Sequence, residues 1–176
     1  MHESKINKMV CVIDFDGTLY KNDFFLEVFY KTLIERPFYL FKLFCIKRLK
    51  LVEVKKTLLN NYHVNYDTKF LMNELVINWL ELHKNNYSKI YLVSASPDFF
   101  VKHILENQKF LDGIFGSTEI NLKGIAKLNF ILNRWGEDFA YLGDSVDDAP
   151  IFEKAKEAYK VTINKIINVK SISQIN

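Results

Sequence analysis

Two aspartates follow the first apolar run of the chain and are the clearest candidates for chemistry. Asp14 and Asp16 belong to the pentapeptide DFDGT, directly after Met9–Ile13. Alternate side chains of a strand lie on one side, so both carboxylates can approach one site. Neighbouring carboxylates need a proton or a cation to coexist, and Mg²⁺ takes oxygen ligands and bridges to phosphate. The pair therefore favours Mg²⁺-assisted phosphoryl chemistry, although an ordinary acidic turn remains the alternative.

A serine follows a second apolar run. Ser94 comes after Ile90–Val93, and the following Ser96 and Pro97 are typical of a helix start. A hydroxyl and backbone amides at such a position can hold a phosphate oxygen. We interpret Ser94 as a phosphate ligand and Ser96 and Asp98 as caps, while capping alone would also explain all three residues.

Two lysines lie in the segment 121–127, which we expect to open a helix. Lys123 and Lys127 are one turn apart and should share a flank of that helix. An ammonium group at the sheet edge would offset the charge of a nucleophilic carboxylate and of a transferring phosphate. A solvated helix lysine is the alternative for either residue.

Three aspartates follow the apolar run Phe139–Leu142. Asp144, Asp147 and Asp148 lie within five residues, which is hard to explain without a cation. Asp144 is the natural metal ligand, and Asp148 can order a metal-bound water or the lysine. For Asp147, a role at the cation site and a role as a first-turn residue favoured by the helix dipole fit equally well.

The elements that must position these residues are strands alternating with helices. We predict strands at 9–13, 90–93, 113–116, 139–142 and 158–161, with helical patterns between them. This alternation predicts an α/β fold with a doubly wound parallel sheet. The tail after Thr162 is weakly patterned, and we expect at most partial order there.

Residues 21–86 lack strand signals and predict an all-helical insert. Leu26, Phe29, Tyr30 and Leu33 fall at helical spacing, Pro37 starts a second helix, and a longer helix runs from 66 to 83 with apolar residues including Leu71, Leu75 and Leu82. The segment is too long for a simple crossover. We therefore predict a catalytic core formed by residues 1–20 and 87–176, with a cap formed by residues 21–86 over the carboxyl edge of the sheet.

Chain length, hydrophobic content, net charge and cysteine content limit the class of protein to which the chain can belong. A chain of 176 residues with 49% hydrophobic residues can form one core plus an insert. Its net charge of +3 is spread along the chain and does not indicate nucleic-acid binding. Cys11 and Cys45 stand in apolar surroundings, so we expect both to be buried in a reduced, intracellular protein. Because we find no signal core and no apolar stretch of about 20 residues, we expect a soluble, cytoplasmic protein.

The motifs resemble a known family when they are taken together. The ordered set DFDGT, Ser94, Lys123 or Lys127, and GDSVDD at Gly143–Asp148 is similar to the four motifs of the haloacid dehalogenase (HAD) superfamily. The resemblance covers residues 9 to about 161. It implies a Rossmann-like core, a nucleophile at Asp14 and an acid/base at Asp16. It also implies Mg²⁺ held by Asp14, the Asp16 backbone carbonyl and Asp144, with Asp148 acting through water. It also assigns phosphate binding to Ser94, Gly17, Thr18 and Ala95.

The insert narrows this resemblance to one branch. A helical insert after the first motif resembles the C1 cap of phosphoserine-phosphatase-like enzymes, in which Asp23 would be an acidic residue that faces the substrate. The segment 121–150 is also similar to HAD domains associated with prenyltransferases. Their Gly-x-x-Lys pattern favours Lys127, whereas the Lys-Gly pair of some phosphoserine phosphatases favours Lys123. We expect Lys127, and the presence of Asp16 argues against dehalogenase chemistry.

The resulting expectation is a Mg²⁺-dependent phosphomonoester hydrolase. It would act through an aspartyl phosphate on a small or amphiphilic metabolite; a phosphomutase and a HAD-like phosphate-binding module without catalysis are the alternatives. The stretch 36–50 mixes aromatic and basic residues, so it can grip an amphiphilic phosphate or touch a membrane surface. A cap helix with its apolar face on the core and its lysines outside is the favoured interpretation.

Overall fold

The computed structural model describes residues 8–46, 51–61 and 72–172, and a six-stranded sheet forms its centre. Strand order is β3-β2-β1-β4-β5-β6, with the first five strands parallel and β6 antiparallel to β5. The strands are β1 (Val10–Ile13), β2 (Lys89–Pro97), β3 (Gly113–Ser117), β4 (Phe139–Gly143), β5 (Glu157–Val161) and β6 (Ile166–Asn168). The predicted α/β class and its five parallel strands are confirmed.

Helices flank this sheet and form most of the insertion between β1 and β2. They are α1 (Phe24–Glu35), α2 (Pro37–Phe41), a π-helix (Lys42–Ile46), α3 (Leu51–Asn61), α4 (Glu74–His83), α5 (Asp98–Ile104), α6 (Ile125–Trp135), α7 (Ala149–Lys154) and α8 (Val169–Ile172). Short 3-10 turns span Lys84–Asn86 and Val146–Asp148. The tail after Thr162, for which we expected at most partial order, forms β6, which pairs with β5, and then α8 as far as Ile172.

Alternation along β1 builds a core on both faces of the sheet. Cys11 and Ile13 are fully buried on the side that packs with α1, α4 and α5, whereas Val12 packs with α6 and α7 on the other side. A strand covered on both faces reads as a continuous apolar run, which is why 9–13 could be recognised from the sequence.

The strand register brings the predicted motifs to one edge. Ile13 of β1 stands opposite Leu92 of β2 and Leu142 of β4. The residues that follow these three positions are therefore neighbours at the carboxyl edge of the sheet. Open α/β sheets bind ligands at this edge.

The helical insertion leaves and rejoins the core at adjacent points. Tyr20 and Met72 form an antiparallel bridge, and the Asn73 amide donates to the Leu19 carbonyl over 2.8 Å. Asp23 caps α1 by accepting from the Leu26 amide over 3.0 Å. The predicted start of a second helix at Pro37 is confirmed.

The apolar face of α1 differs from the pattern chosen from the sequence. Its buried residues are Phe24, Phe25, Val28 and Thr32. Leu26, Tyr30 and Leu33 are instead exposed by 45%, 58% and 46% of their surface. The helix thus carries apolar side chains on two faces, and the core covers one of them.

The predicted helix 66–83 begins later than expected. Helix α4 starts at Glu74, because Met72 is still paired with Tyr20 and the Asn73 side chain caps the helix by accepting from the Leu75 amide. Its buried positions are Val76 and Leu80, and Leu82 is exposed. Residues 66–71, including Leu71, lie outside the described residues.

Contacts of α4 bear on where the insert ends. Trp79 packs against Tyr159 of β5, with ring centroids 4.7 Å apart, so α4 covers the sheet. We propose a boundary near Met72 instead of at residue 86, so that α4 belongs to the core.

The two cysteines differ in burial. Cys11 is buried, and burial raises the pKa of its thiol, but Cys45 is exposed, so the expectation that both are buried is wrong. No helix within residues 8–46, 51–61 and 72–172 is long and apolar enough to cross a membrane.

Candidate active site

A cavity of about 630 Å³ opens at the carboxyl edge of the sheet. The core supplies most of its acidic residues, and the insertion supplies Phe25, Leu26, Lys55 and Lys56. Further lining residues include Asp14, Asp16, Gly17, Asp23, Ala95, Lys123, Lys127, Asp144, Asp147 and Asp148. Most of the residues predicted from the motifs therefore share one cavity.

Asp14 and Lys127 form a buried ion pair on the floor of this cavity. The Asp14 amide donates to the Leu142 carbonyl over 2.9 Å, which fixes Asp14 at the end of β1. Asp14 Oδ1 accepts from the Phe15 amide and from Lys127 Nζ, each over 2.8 Å. Burial raises the pKa of Asp14, although the Lys127 charge opposes it; burial would lower the pKa of Lys127, but Asp14 and Asp148 raise it. Lys127 is 2% exposed, so it serves this site and not solvent.

Lys123 lies away from the ion pair of Asp14 and Lys127. It is exposed and pairs with Asp147 Oδ2 over 2.9 Å. Helix α6 begins at Ile125, after Gly124 with a φ of 54°, so Lys123 precedes the helix. The expectation that both lysines share one helix flank is wrong, and Lys127 is the lysine that contacts Asp14.

Three carboxylates converge beside this ion pair. Asp14, Asp144 and Asp148 each offer an oxygen within 4.8 Å of the other two. Burial, and then the Asp14 charge, raises the pKa of Asp144 to about 6. Burial and Asp14 likewise raise the pKa of Asp148. These carboxylates repel one another and hold protons unusually tightly when no cation is bound.

Two local features show that the cluster fits a small hard cation. Asp148 Oδ2 is buried and has no hydrogen-bond partner among the described residues. Gly17 has a φ of 74°, and a Cβ atom there would lie 2.1 Å from Asp144 Oδ2, so glycine leaves room for that carboxylate. An all-oxygen donor set of this kind suits Mg²⁺.

Asp16 lines the cavity but its carboxylate lies outside the three-residue cluster. Asp16 Oδ1 accepts from the Phe24 amide over 3.0 Å, and Oδ2 accepts from the Ser96 hydroxyl over 2.6 Å. Burial raises the pKa of Asp16, while the Lys55 charge and the Ser96 hydrogen bond oppose that shift. Asp16 is therefore held by neutral donors beside Asp14.

The predicted caps of α5 are wrong. Strand β2 continues through Pro97 and α5 begins at Asp98, so Ser96 is still in the strand and bonds to Asp16. Asp98 accepts from the Gly116 amide over 3.0 Å and pairs with Lys102 over 2.8 Å. Asp98 thus ties α5 to β3.

The predicted phosphate ligands differ in whether they line the cavity. Gly17 and Ala95 line the cavity, whereas Ser94 and Thr18 are fully buried outside its lining. Ser94 Oγ accepts from the Ser96 amide over 2.9 Å, and Thr18 Oγ1 donates to Asp144 Oδ1 over 3.1 Å. Phosphate contact by Ser94 and Thr18 stays a prediction.

The insertion contributes two lysines that sequence reasoning missed. Lys55 Nζ lies 5.4 Å from the centre of the Phe25 ring, and its charge acts on Asp16. Lys56 Nζ donates to the Thr118 carbonyl over 2.7 Å and so links α3 to the loop after β3. Asp23 also lines the cavity, at the start of α1. Nothing in the helical spacing of α3 distinguishes these lysines from solvated ones.

Tyr141 is the other residue that the sequence did not single out. It is fully buried in β4, and its hydroxyl accepts from Lys127 Nζ over 3.2 Å. Lys127 also donates to Asp148 Oδ1 over 3.3 Å. Period-two alternation places Tyr141 on the same face as Phe139, under α6, and this signal could have linked it to Lys127.

Comparison with known sequences gives one distant relative. No protein-family model matches the chain. An uncharacterized protein of Sinorhizobium fredii, y4nM, is 27% identical over 155 residues. The match covers 88% of this chain but 30% of y4nM, so the chain spans less than a third of that relative.

Comparison with solved structures identifies the fold. A phosphoserine phosphatase captured as a phospho-aspartyl intermediate analogue has a TM-score of 0.55 and 22% identity, with 86% of this chain and 85% of that chain covered. A HAD-superfamily hydrolase from Ehrlichia chaffeensis has a TM-score of 0.53 and 18% identity, with 98% and 97% covered. The chain thus shares the fold of HAD-superfamily hydrolases.

Proposed function

We propose that this chain, which has the fold of HAD-superfamily hydrolases, is a Mg²⁺-dependent phosphomonoester hydrolase that acts through an aspartyl phosphate. The observation that best supports this proposal is the position of Asp14. Its carboxylate lies between a buried lysine and two further aspartates, on the floor of a cavity large enough for a small phosphorylated metabolite. Such a carboxylate has the surroundings that a nucleophile for phosphorus requires.

The proposed metal site uses the three-carboxylate cluster. Asp14 and Asp144 would hold Mg²⁺ directly, and Asp148 would act through water, with the Asp16 carbonyl as a further oxygen donor. When bound, Mg²⁺ supplies positive charge that polarises the phosphoryl oxygens and offsets the charge of the carboxylates. The tightly held protons of the cluster and the unpaired Asp148 oxygen support this assignment.

In the first step, Asp14 attacks the phosphate ester. Oδ1 is engaged by Phe15 and Lys127, so Oδ2 is the oxygen that bonds to phosphorus. The bond from phosphorus to the ester oxygen breaks, and Asp16 gives its proton to that leaving oxygen. A raised pKa suits Asp16 to carry this proton. Lys127 stays charged and offsets the negative charge that builds on the transferred group.

In the second step, the aspartyl phosphate is hydrolysed. Asp16, now ionised, takes a proton from a water molecule whose oxygen attacks phosphorus. The bond between phosphorus and Asp14 breaks, and inorganic phosphate leaves. The hydrogen bonds from Phe24 and Ser96 keep the Asp16 carboxylate in place for both proton transfers.

Hydrolysis of p-nitrophenyl phosphate tests this proposal. We expect Mg²⁺-dependent release of p-nitrophenol that chelation by EDTA removes. Asp14→Asn should lower kcat by at least about a thousandfold, because the amide is not a nucleophile. Asp138→Asn is the matched control, since Asp138 is exposed and pairs with Lys156 over 2.8 Å, and it should keep wild-type turnover.

A negative outcome would be informative. Absence of turnover across a panel of phosphoserine, sugar phosphates and lipid phosphates, together with absence of Mg²⁺ binding, would contradict the enzymatic proposal. The site would then be assigned to a phosphate-binding module without catalysis.

A further inference from the structure

A buried serine contacts the proposed acid/base without lining the cavity. The Ser96 hydroxyl donates to Asp16 Oδ2 over 2.6 Å, a length typical of a hydrogen bond from a hydroxyl to a carboxylate. Ser96 is 1% exposed and lies outside the cavity lining, whereas Asp16 is part of that lining. Any effect of Ser96 on a bound substrate would therefore act through Asp16.

The backbone that carries Ser96 is held in an irregular part of β2. The Ser96 amide donates to Ser94 Oγ over 2.9 Å. The register of β2 against β3 shifts between Val93 and Pro97, which is the segment that contains both serines. Irregularities of this kind redirect side chains beside active sites. The local backbone thus fixes the Ser96 side chain in contact with Asp16.

The two carboxylate oxygens of Asp16 have partners of different kinds. Oδ1 accepts from the Phe24 amide over 3.0 Å, and an amide N–H can only donate. Oδ2 accepts from the Ser96 hydroxyl, which can rotate and can either donate or accept. A proton on Oδ1 would oppose the N–H of Phe24, whereas a proton on Oδ2 requires only that the hydroxyl rotate. Oδ2 is therefore the oxygen on which Asp16 can carry a proton without losing a partner.

We propose that Ser96 is a positioning residue that keeps the transferable proton on Asp16 Oδ2 and stabilises the carboxylate left behind when this proton departs. The inference rests on the proposed hydrolase function, and it identifies the oxygen and the partner through which Asp16 acts. A fixed donor would stabilise only the ionised form of Asp16, but a hydroxyl can serve both forms.

The proposed role applies to both proton transfers. In the first step the bond between Oδ2 and its proton breaks, the proton bonds to the ester oxygen, and the electron pair stays on Oδ2. The Ser96 hydroxyl then donates to the charged oxygen, as it does in the structure. In the second step Oδ2 takes a proton from the attacking water, and the hydroxyl rotates to accept.

Two phosphate esters of similar shape test this role in the full chain. Phenolate is a more basic leaving group than p-nitrophenolate, so cleavage of phenyl phosphate depends more on the proton from Asp16. Ser96→Ala should lower kcat/KM by about tenfold or more for phenyl phosphate, because a hydrogen bond to a charged group is lost as the proton departs. For p-nitrophenyl phosphate it should lower kcat/KM by less than about threefold.

Further variants separate this role from packing. Ser96→Thr keeps the hydroxyl and should keep the wild-type ratio of the two kcat/KM values, whereas Ser96→Cys keeps the size, offers a weak donor and should resemble Ser96→Ala. Ser117→Ala is the matched control, since the hydroxyl of this buried serine donates to the Ala95 carbonyl over 2.9 Å. Any loss in Ser117→Ala should be equal for the two esters. Melting temperature reports on folding, and Ser96→Cys replaces Ser96→Ala if the alanine variant does not fold.

The possible outcomes distinguish this inference from the proposed function. Equal losses for the two esters in Ser96→Ala, or no loss for either, would overturn the positioning role and leave the hydrolase function standing. The same selective loss in a Ser96→Thr variant that melts as the wild type does would also overturn it. Absence of wild-type turnover of both esters would overturn the proposed function and this inference with it.

Discussion

At the scale of single residues, the site depends on how the Lys127 ammonium group is shared among three partners. Lys127 Nζ lies 2.8 Å from Asp14 Oδ1, 3.2 Å from the Tyr141 hydroxyl and 3.3 Å from Asp148 Oδ1. A buried ammonium group needs such partners, because an unpaired charge in the interior is strongly disfavoured. The tyrosine hydroxyl is the neutral partner of the three and directs the ammonium between the two carboxylates.

Tyr141 therefore acts as a positioning residue for Lys127, and Tyr141→Phe tests this. We expect kcat for p-nitrophenyl phosphate to fall about tenfold or more while KM changes less than about twofold, because the lysine loses orientation but not charge. Gly143, two residues further along β4, makes room for the tyrosine ring and for the Asp148 carboxylate, since a Cβ there would lie 2.6 Å from both Tyr141 Cε1 and Asp148 Oδ2.

The control for Tyr141 is a second buried tyrosine. Tyr87→Phe removes a hydroxyl that donates to Glu157 Oε2 over 2.9 Å, outside the cavity lining, and should leave kcat unchanged. If both variants lose activity in proportion to a fall in melting temperature, Tyr141 is structural and the positioning role is wrong.

Individual site residues could be predicted from the sequence where a chemically suitable residue type follows the end of a strand. Asp14, Asp16, Asp144 and Asp148 follow buried strands, and all four line the cavity. Ser96 was misassigned because β2 runs three residues beyond Ser94, to Pro97, and local turn signals do not reveal this strand end. The spacing of the two lysines did not choose between them, because Gly124, with its positive φ, starts α6 after Lys123 and leaves only Lys127 in the helix.

At the scale of elements, the insertion touches the core across the cavity. Lys56 of α3 donates to the Thr118 carbonyl over 2.7 Å, beyond the end of β3. Because the contact joins the two sides of the cavity, it favours an arrangement in which α3 covers the bound substrate.

Lys56→Gln should weaken this closure. We expect KM for p-nitrophenyl phosphate to rise about two- to tenfold, which corresponds to the loss of one hydrogen bond, with a smaller effect on kcat. Lys109→Gln changes an exposed lysine away from the cavity and serves as the matched control. An unchanged KM in Lys56→Gln would show that the contact does not contribute to substrate binding.

Strands and helices could be predicted where burial imposes a simple pattern of apolar residues on the sequence. Strands β1 and β4 are covered on both faces and read as apolar runs, whereas β6 is a three-residue edge strand with intermediate burial and no such run. For α1 the helical spacing was recognised, but three of the four residues that indicated it are exposed, because apolar residues occupy two of its faces. Local periodicity cannot say which face meets the core when both are apolar.

At the scale of the whole molecule, the acidic cluster works against the stability of the metal-free fold. The ordinary pKa of Asp144 is 3.8, and the fold raises it to about 6. The folded state therefore favours the protonated form, so the contribution of Asp144 to the free energy of unfolding is most favourable below pH 3.8 and is lost as pH rises through about 6. Asp14 and Asp148 have pKa shifts in the same direction.

Thermal unfolding with and without Mg²⁺ measures this effect. At pH 7.5 we expect Mg²⁺ at about a hundredfold above its Kd to raise Tm by about 5 °C or more. Near pH 5 the gain should shrink toward zero, because protons on Asp144 and its neighbours compete with the cation. Asp144→Asn should melt higher than the wild type at pH 7.5 without metal and should lose the Mg²⁺-dependent gain. Asp138→Asn should keep both wild-type Tm values; a Mg²⁺ gain that persists in Asp144→Asn would place the cation elsewhere.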